Sequence, residues 1–297
     1  MLPRNDFMKG RCAAANWFVF VSICVLLVLC AIPTRSQLRQ RVGPEKGWLV
    51  LHGGNTKPDN LATHRFVELA GGAKASIVVV LTPIPSELIT PEFLTWYKQF
   101  WITEFGVSDV TFIDTRDRRE ANTETFVAPL LKATGVWIHG GSNNILVDVY
   151  LGTLAEREIK AVADRGGVIG GSSAGAMIQG SFLITFDTGD VDKEDARGLR
   201  LDAKRLEGFS VLKDITVYPH FAERHAQWIM FRLLPQHSDL LGIGIDESTA
   251  IVVHEDQFEV IGVGHVEVFD AEGAARRKYL TLSKGQRYDL RQRRVLK

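Results

Sequence analysis

Ser173 is the residue in this sequence best placed for covalent chemistry. It lies in Gly170-Gly171-Ser172-Ser173-Ala174-Gly175-Ala176, and Gly171 to Gly175 matches the pattern G-x-S-x-G. A serine on a sharp strand-to-helix turn needs small neighbours, because its backbone is strained and the flanking residues press together. Such a turn lifts the hydroxyl above the edge of a sheet. It also aims the following N–H, that of Ala174, at the point where an oxyanion would form. The chemistry is nucleophilic acyl transfer. The competing reading is a glycine-rich turn in which Ser173 only caps a helix.

A serine nucleophile needs a base and a carboxylate to orient it. His220 is the expected base, since it ends the run Ile215-Thr216-Val217-Tyr218-Pro219-His220, a strand entering a proline bend. His225 is its near competitor. His52, His64, His139, His237, His254 and His265 have weaker claims, although His139 adjoins a second glycine turn, Gly140-Gly141-Ser142-Asn143. That Gly-Gly pair can offer a second backbone N–H to an oxyanion, or it can be an ordinary strand-to-helix turn. For the acid, the segment Phe186 to Asp192 is loop-like and carries Asp187, Asp190 and Asp192, with Asp190 the first choice. Glu223 is a further candidate. Arg224 can clamp a substrate carboxylate with a two-pronged hydrogen bond, or it can serve in a surface ion pair.

Taken together, Ser-Ala-Gly-Ala after a short strand, the earlier Gly-Gly pair, His220-Phe221-Ala222-Glu223-Arg224 and Gly242-Ile243-Gly244-Ile245-Asp246-Glu247-Ser248-Thr249-Ala250 resemble one family. This is the S51 serine peptidases, the cyanophycinases and related aspartyl dipeptidases, whose fold is similar to class I glutamine amidotransferases. The resemblance spans roughly Gly47 to Phe269. It implies a Ser–His–acid triad, carried by Ser173 and His220, with the acid in the loop between them, where Asp190 matches approximately. It also implies oxyanion donors at Gly141 and Ala174, and substrate contacts at Asn143 and Arg224. Cyanophycinases have Asp-Gln where Tyr218-Pro219 stand and Gly-Gly-Asp-Gln where Gly140-Gly141-Ser142-Asn143 stand, and they carry further arginines after the position of Arg224. The expected substrate is therefore a small peptide or isopeptide, with a β-aspartyl linkage among the candidates.

Hydrophobic periodicity gives the strands and helices that carry these residues. Gly47–His52, Ala75–Leu81, Val110–Asp114, Gly135–His139 and Gly167–Gly170 read as short apolar strands. Continuous β-branched runs of this kind suit a parallel sheet buried on both faces. Leu61–Leu69, Pro91–Phe105 and Val147–Asp164 read as helices, the last with Val147, Leu151, Leu154 and Val162 on one face. Strand and helix alternate, so the expected fold is α/β: a three-layer, doubly wound, mostly parallel sheet. Thr249–His254, Phe258–Val263 and His265–Phe269 read as antiparallel strands added at one edge.

Residues 1–36 differ from the rest. Arg4, Lys9 and Arg11 precede a charge-free run from Trp17 to Ile32, closed by Pro33 and Arg35. This pattern predicts a secretory signal cleaved before Gln37, or a retained anchor, and places the domain outside the cytoplasmic membrane. Residues 37–46 read as a linker and 47–297 as the peptidase domain.

Composition narrows the classes. Lys+Arg and Asp+Glu are 35 each, so the chain lacks the basic excess of a phosphate-neutralising nucleic-acid binder. Its three cysteines all fall in the first 30 residues, so no downstream disulfide or cysteine-ligated zinc is expected. There is no H-E-x-x-H motif, and the chemistry calls for neither metal nor cofactor. Membrane contact is expected only through the leader, and a homodimer is left open. Two rivals share the motif. An α/β-hydrolase esterase would keep the order Ser, acid, His but spend more strands between elbow and histidine. A non-catalytic exported binding domain would keep the scaffold alone. An amidotransferase would want cysteine at position 173.

Overall fold

The computed structural model describes residues 40–55, 60–185, 201 and 204–297. Five strands form a parallel core: β1 (Trp48–His52), β2 (Ser76–Val80), β3 (Asp109–Ile113), β4 (Gly135–Ile138) and β5 (Val168–Ser172). They are the five strands expected from the apolar runs, with ends shifted by a residue or two. β1 lies beside β5, β5 beside β4, β4 beside β2 and β2 beside β3, all parallel. Alternate residues of each strand enter opposite cores: Leu49 and Leu51 of β1 join one cluster, Val50 the other. Both faces are covered, which is why these strands read as continuous apolar runs rather than alternating ones.

The helices α1 (Leu61–Leu69) and α2 (Pro91–Phe105) have the expected bounds. Thr90 caps α2 by accepting the Phe93 N–H, and Gly106 ends it in the left-handed region. The single helix expected over 147–164 is two. Gly152, at φ 73°, and the extended ψ of Leu151 break it between Asn143–Tyr150 and Leu154–Asp164. Thr153 then caps the second piece on the Glu156 N–H.

The C-terminal strands divide between two sheets, which corrects the expectation of one edge. β6 (Ile215–Pro219) and β7 (Leu241–Ile245) pair parallel in a second sheet. β8 (Thr249–His254) and β9 (Gln257–Gly262) do extend the large sheet, with β8 antiparallel to β1. β10 (Val266–Phe269) leaves it and pairs with β7 instead. The chain turns away at Gly262, whose φ is 104°, and the hydrophobic residues of β10 are buried in the same cluster as Leu49 and Leu51. Short strands β11 (Leu280–Leu282), β12 (Arg287–Asp289) and β13 (Arg294–Leu296) complete the two sheets.

Two glycines of β7 leave room for the segment after β6. A Cβ at Gly242 would lie 2.7 Å from the Met230 sulfur, and one at Gly244 would lie 2.4 Å from the Phe221 ring. Phe221 can thus pack flat on the sheet, immediately after His220.

Val42 and Gly43, within the segment read as a linker, are held to the β8–β9 turn: their N–H groups donate to Asp256 Oδ1 at 2.7 and 3.3 Å. The leader and the loop bearing Asp187, Asp190 and Asp192 lie outside the described residues. No helix among the described residues is long and apolar enough to cross a membrane.

Candidate active site

Ser173 follows the last residue of β5, in the middle of the large sheet. Its backbone sits at φ 53°, ψ −116°, a conformation a non-glycine residue adopts only under constraint. Glycine spacing supplies the constraint. A Cβ at Gly171 would lie 2.3 Å from the Gly175 carbonyl oxygen, and one at Gly175 would lie 2.0 Å from that of Ile138. The Ser173 N–H donates to the His52 carbonyl at 3.0 Å. Its hydroxyl does not cap the helix Ala174–Met177 that follows. It lies 3.0 Å from Nε2 of His220 instead.

His220 leaves β6 with its own backbone at φ 53°. Its N–H donates to the Gly53 carbonyl at 2.9 Å, and the next N–H, that of Phe221, to Ile245. The imidazole lies so close to Gly54 that a Cβ there would fall 2.0 Å from Cε1. On its far side Nδ1 lies 2.7 Å from Oε1 of Glu247.

Glu247 holds the position expected for Asp190. β6 and β7 run parallel in register, Pro219 beside Ile245, so the residues just past the two strands emerge side by side. Glu247 Oε2 accepts a hydrogen bond from Asn55 Nδ2 at 2.9 Å. That bond, with the His220 hydrogen bond and the positive charges of His220 and Arg224, holds the Glu247 carboxyl below the usual range, against the opposing effect of burial. Glu223 is not on the histidine: its carboxylate accepts the Glu247 N–H at 3.3 Å. Glu247 sits inside the Gly-Ile-Gly-Ile-Asp-Glu run singled out in the sequence. The usable signal was an acid just past the strand that pairs with the histidine's strand. Its neighbour Asp246 is buried and structural, accepting the N–H groups of Ala222 at 3.1 Å and His265 at 2.9 Å.

The other histidines have other partners. His52 is buried, and its Nδ1 accepts the Gly54 N–H at 3.3 Å and faces Ser172 Oγ at 3.1 Å. Burial, then the charge of His220, push its pKa down to about 4, opposed by Glu247, so it is neutral at pH 7. Ser172, the other serine of the motif, is turned to His52. His254 stacks on Trp48 with ring centroids 4.0 Å apart, His237 packs on Phe182, and His64 on Phe105. His265 faces Ser283, and His139 bonds the Gly140 carbonyl through Nδ1. His225 is exposed, one turn past the site.

Gly140 packs against the Ser173 turn, where a Cβ would lie 3.2 Å from that of Ser173. Gly141 takes φ 141° and fits under the Pro83 carbonyl, where a Cβ would be 2.1 Å from the oxygen. Among the described residues, neither the Gly141 nor the Ala174 N–H donates to a backbone carbonyl. Asn143 begins the helix after this turn and directs Nδ2 to the Met177 sulfur at 3.0 Å. Arg224 is exposed, and its N–H donates to the His220 carbonyl at 3.0 Å. Among the described residues no cluster of His, Cys, Asp and Glu could hold a metal.

Residues 49–261 match the model of peptidase family S51. The cyanophycinase of Geminocystis herdmanii is 30% identical over 210 residues, 70% of this chain and 74% of that protein. The cyanophycinase of Thermosynechococcus vestitus is 28% identical over 216 residues, 72% of this chain and 64% of that protein's length. Among solved structures, a peptidase from an acI-B1 actinobacterium superposes with a TM-score of 0.62 at 22% identity, covering 84% of this chain and 98% of that one. A putative peptidase E protein from Listeria monocytogenes gives 0.51 at 17% identity, covering 73% and 99%.

Proposed function

The chain belongs to peptidase family S51, the serine-type peptidases, and on that premise we propose that it hydrolyses a small peptide or isopeptide through a Ser173–His220–Glu247 triad. The observation that carries this reading is the convergence of the three groups: Ser173 Oγ 3.0 Å from His220 Nε2, and His220 Nδ1 2.7 Å from Glu247. Nε2 takes the proton as Oγ attacks the scissile carbonyl. The imidazolium then protonates the leaving amine, and water resolves the acyl-enzyme with the same histidine as base. Glu247 keeps the proton on Nδ1, which selects the tautomer with a free Nε2, and stabilises the imidazolium. The N–H groups of Gly141 and Ala174 receive the oxyanion. In other serine hydrolases the loss of one such donor costs roughly 100- to 1,000-fold in rate.

The order Ser, His, Glu departs from the Ser, acid, His order of an α/β-hydrolase. Tyr218, standing where the cyanophycinases have a polar residue, is buried. The substrate reading therefore rests on Arg224 as a clamp for a carboxylate, not on a copied arginine pocket. Residues 1–36, with a basic start and an apolar run, support export of the domain.

The test is digestion of a library of short peptides, β-aspartyl dipeptides included, by residues 37–297, with Ser173→Ala as the blank. Cleavage of small amides that stops in the variant is the expected result. Turnover confined to long extended peptides would contradict the small-substrate reading, and no turnover would favour a binding domain. N-terminal sequencing of secreted protein tests cleavage before Gln37.

A further inference from the structure

We propose that Asn55 is a positioning residue for the triad acid: its side-chain amide fixes the Glu247 carboxylate so that one chosen oxygen faces His220. The proposal rests on the reading of Ser173, His220 and Glu247 as the catalytic set.

A glutamate has a broad, soft terminal torsion, and one hydrogen bond does not hold a carboxylate in a single orientation. Glu247 has a side chain 27% exposed, so packing does not hold it either. Its two oxygens are instead divided between two donors, Oε1 to His220 at 2.7 Å and Oε2 to Asn55 at 2.9 Å.

Asn55 is itself gripped by the turn it orients. Its carbonyl accepts the Ser248 hydroxyl at 2.7 Å, and the Gly54 carbonyl accepts the Ser248 N–H at 2.8 Å. One residue thus holds position 247 with its side chain and position 248 with its main chain. It does so from the left-handed region, at φ 50°. Asparagine suits that position twice over: it tolerates positive φ better than other non-glycine residues, and its amide donates without bringing a charge. Glycine would keep the backbone and lose the donor. Aspartate would keep the shape and put a second carboxylate against the first.

The placement is not isolated. The segment His52 to Asn55 takes the Ser173 N–H on its first carbonyl, the His220 N–H on its second, the Ser248 N–H on its third and the Ser248 hydroxyl on its fourth. Asn55 completes the set by reaching the acid.

The test measures the rate at which a fluorophosphonate modifies Ser173 in the full chain, across pH, for the unsubstituted protein, Asn55→Gly and Asn55→Asp. The charged and titratable groups facing Glu247 are His220, Glu223 and Arg224 past β6 and His52 at the end of β1, while its neighbour Asp246 is turned to Ala222 and His265. Asn55→Gly is expected to react about tenfold more slowly near pH 8 at an unchanged half-saturating probe concentration, the loss of one hydrogen bond to a charged group. Asn55→Asp is expected to be slower still, with its deficit shrinking on acidification, because a proton shared by two carboxylates restores the missing donor. A merely structural role would move the melting temperature and leave the deficit independent of pH. Equal rates in all three chains, or a deficit of Asn55→Asp that does not change with pH, would overturn the proposal alone. Absence of a Ser173 adduct in the unsubstituted chain would overturn the catalytic reading, and the proposal with it.

Discussion

The two sheets contribute to the site in different ways. The large sheet delivers Ser173 and the glycine pair at 140–141, and it does so by local geometry: short glycine-flanked turns leaving buried parallel strands. The small sheet delivers His220 and Glu247 by pairing: two strands in parallel register release their next residues side by side. A strained serine turn can therefore be encoded within a handful of consecutive residues, whereas the histidine–carboxylate pair that faces it exists only once a sheet has formed. Two histidines differ in the same way. His52, on the large sheet, is buried and neutral and braces the turn. His220, at the end of the small sheet, has a carboxylate on one nitrogen and a hydroxyl on the other.

The largest effect should come from the pairing. Glu247→Gln is expected to slow amide hydrolysis by roughly 1,000- to 10,000-fold, as a wrongly oriented imidazole does elsewhere, while Asp190→Asn leaves the rate unchanged. Initial rates on one cleaved peptide decide it. The reverse result would return the acid to the loop and dissolve the contrast between the sheets.

A smaller loss is expected at the local turn. A methyl at Gly175 has no room beside the Ile138 carbonyl, so Gly175→Ala should slow Ser173 by about 100-fold or more through misplacement of its hydroxyl. Unfolding by urea should show a stability cost of about 1–3 kcal/mol. Gly244→Ala should cost a similar amount of stability, by pressing on Phe221, and should disturb His220 rather than Ser173. The readout is the pH profile of turnover beside the urea midpoint.

The last effect concerns His52 and is absent at neutral pH. His52 has a folded pKa near 4 against 6.5 unfolded, so the unfolded chain binds the proton more readily between those values. The stability this burial brings is complete above about pH 6.5 and is lost as the pH falls through 4. A gap of about 2.5 units, from 6.5 to about 4, corresponds to roughly 3 kcal/mol at most. His52→Gln, which can still accept the Gly54 N–H, should flatten that part of the stability curve. Urea titrations at neutral pH and near pH 4 in both proteins would show it.

The same division explains what could be read from the chain alone. β1 to β5 were legible because burial on both faces writes itself as unbroken apolar runs, and Ser173 because its strain demands glycines at fixed offsets. The break at Gly152 was hidden by apolar residues that keep helical spacing across it. β10 carries the same apolar pattern as β8 and β9, and nothing local says that it pairs with β7. Glu247 stood in plain view, two residues past a strand, but assigning it to His220 required knowing that β6 and β7 are neighbours. Asp190 is closer in sequence to Ser173, but the carboxylate found 2.7 Å from His220 comes from just past the strand that pairs with β6.

On the proposed reading, His220 activates Ser173 and not its neighbour Ser172. Its most direct test is mass-spectrometric mapping of the adduct left by a fluorophosphonate on the intact chain. A single adduct on Ser173, absent in Ser173→Ala and strongly slowed in His220→Ala, is the expected result. An adduct on Ser172, or one on Ser173 that forms equally fast without the imidazole, would contradict it.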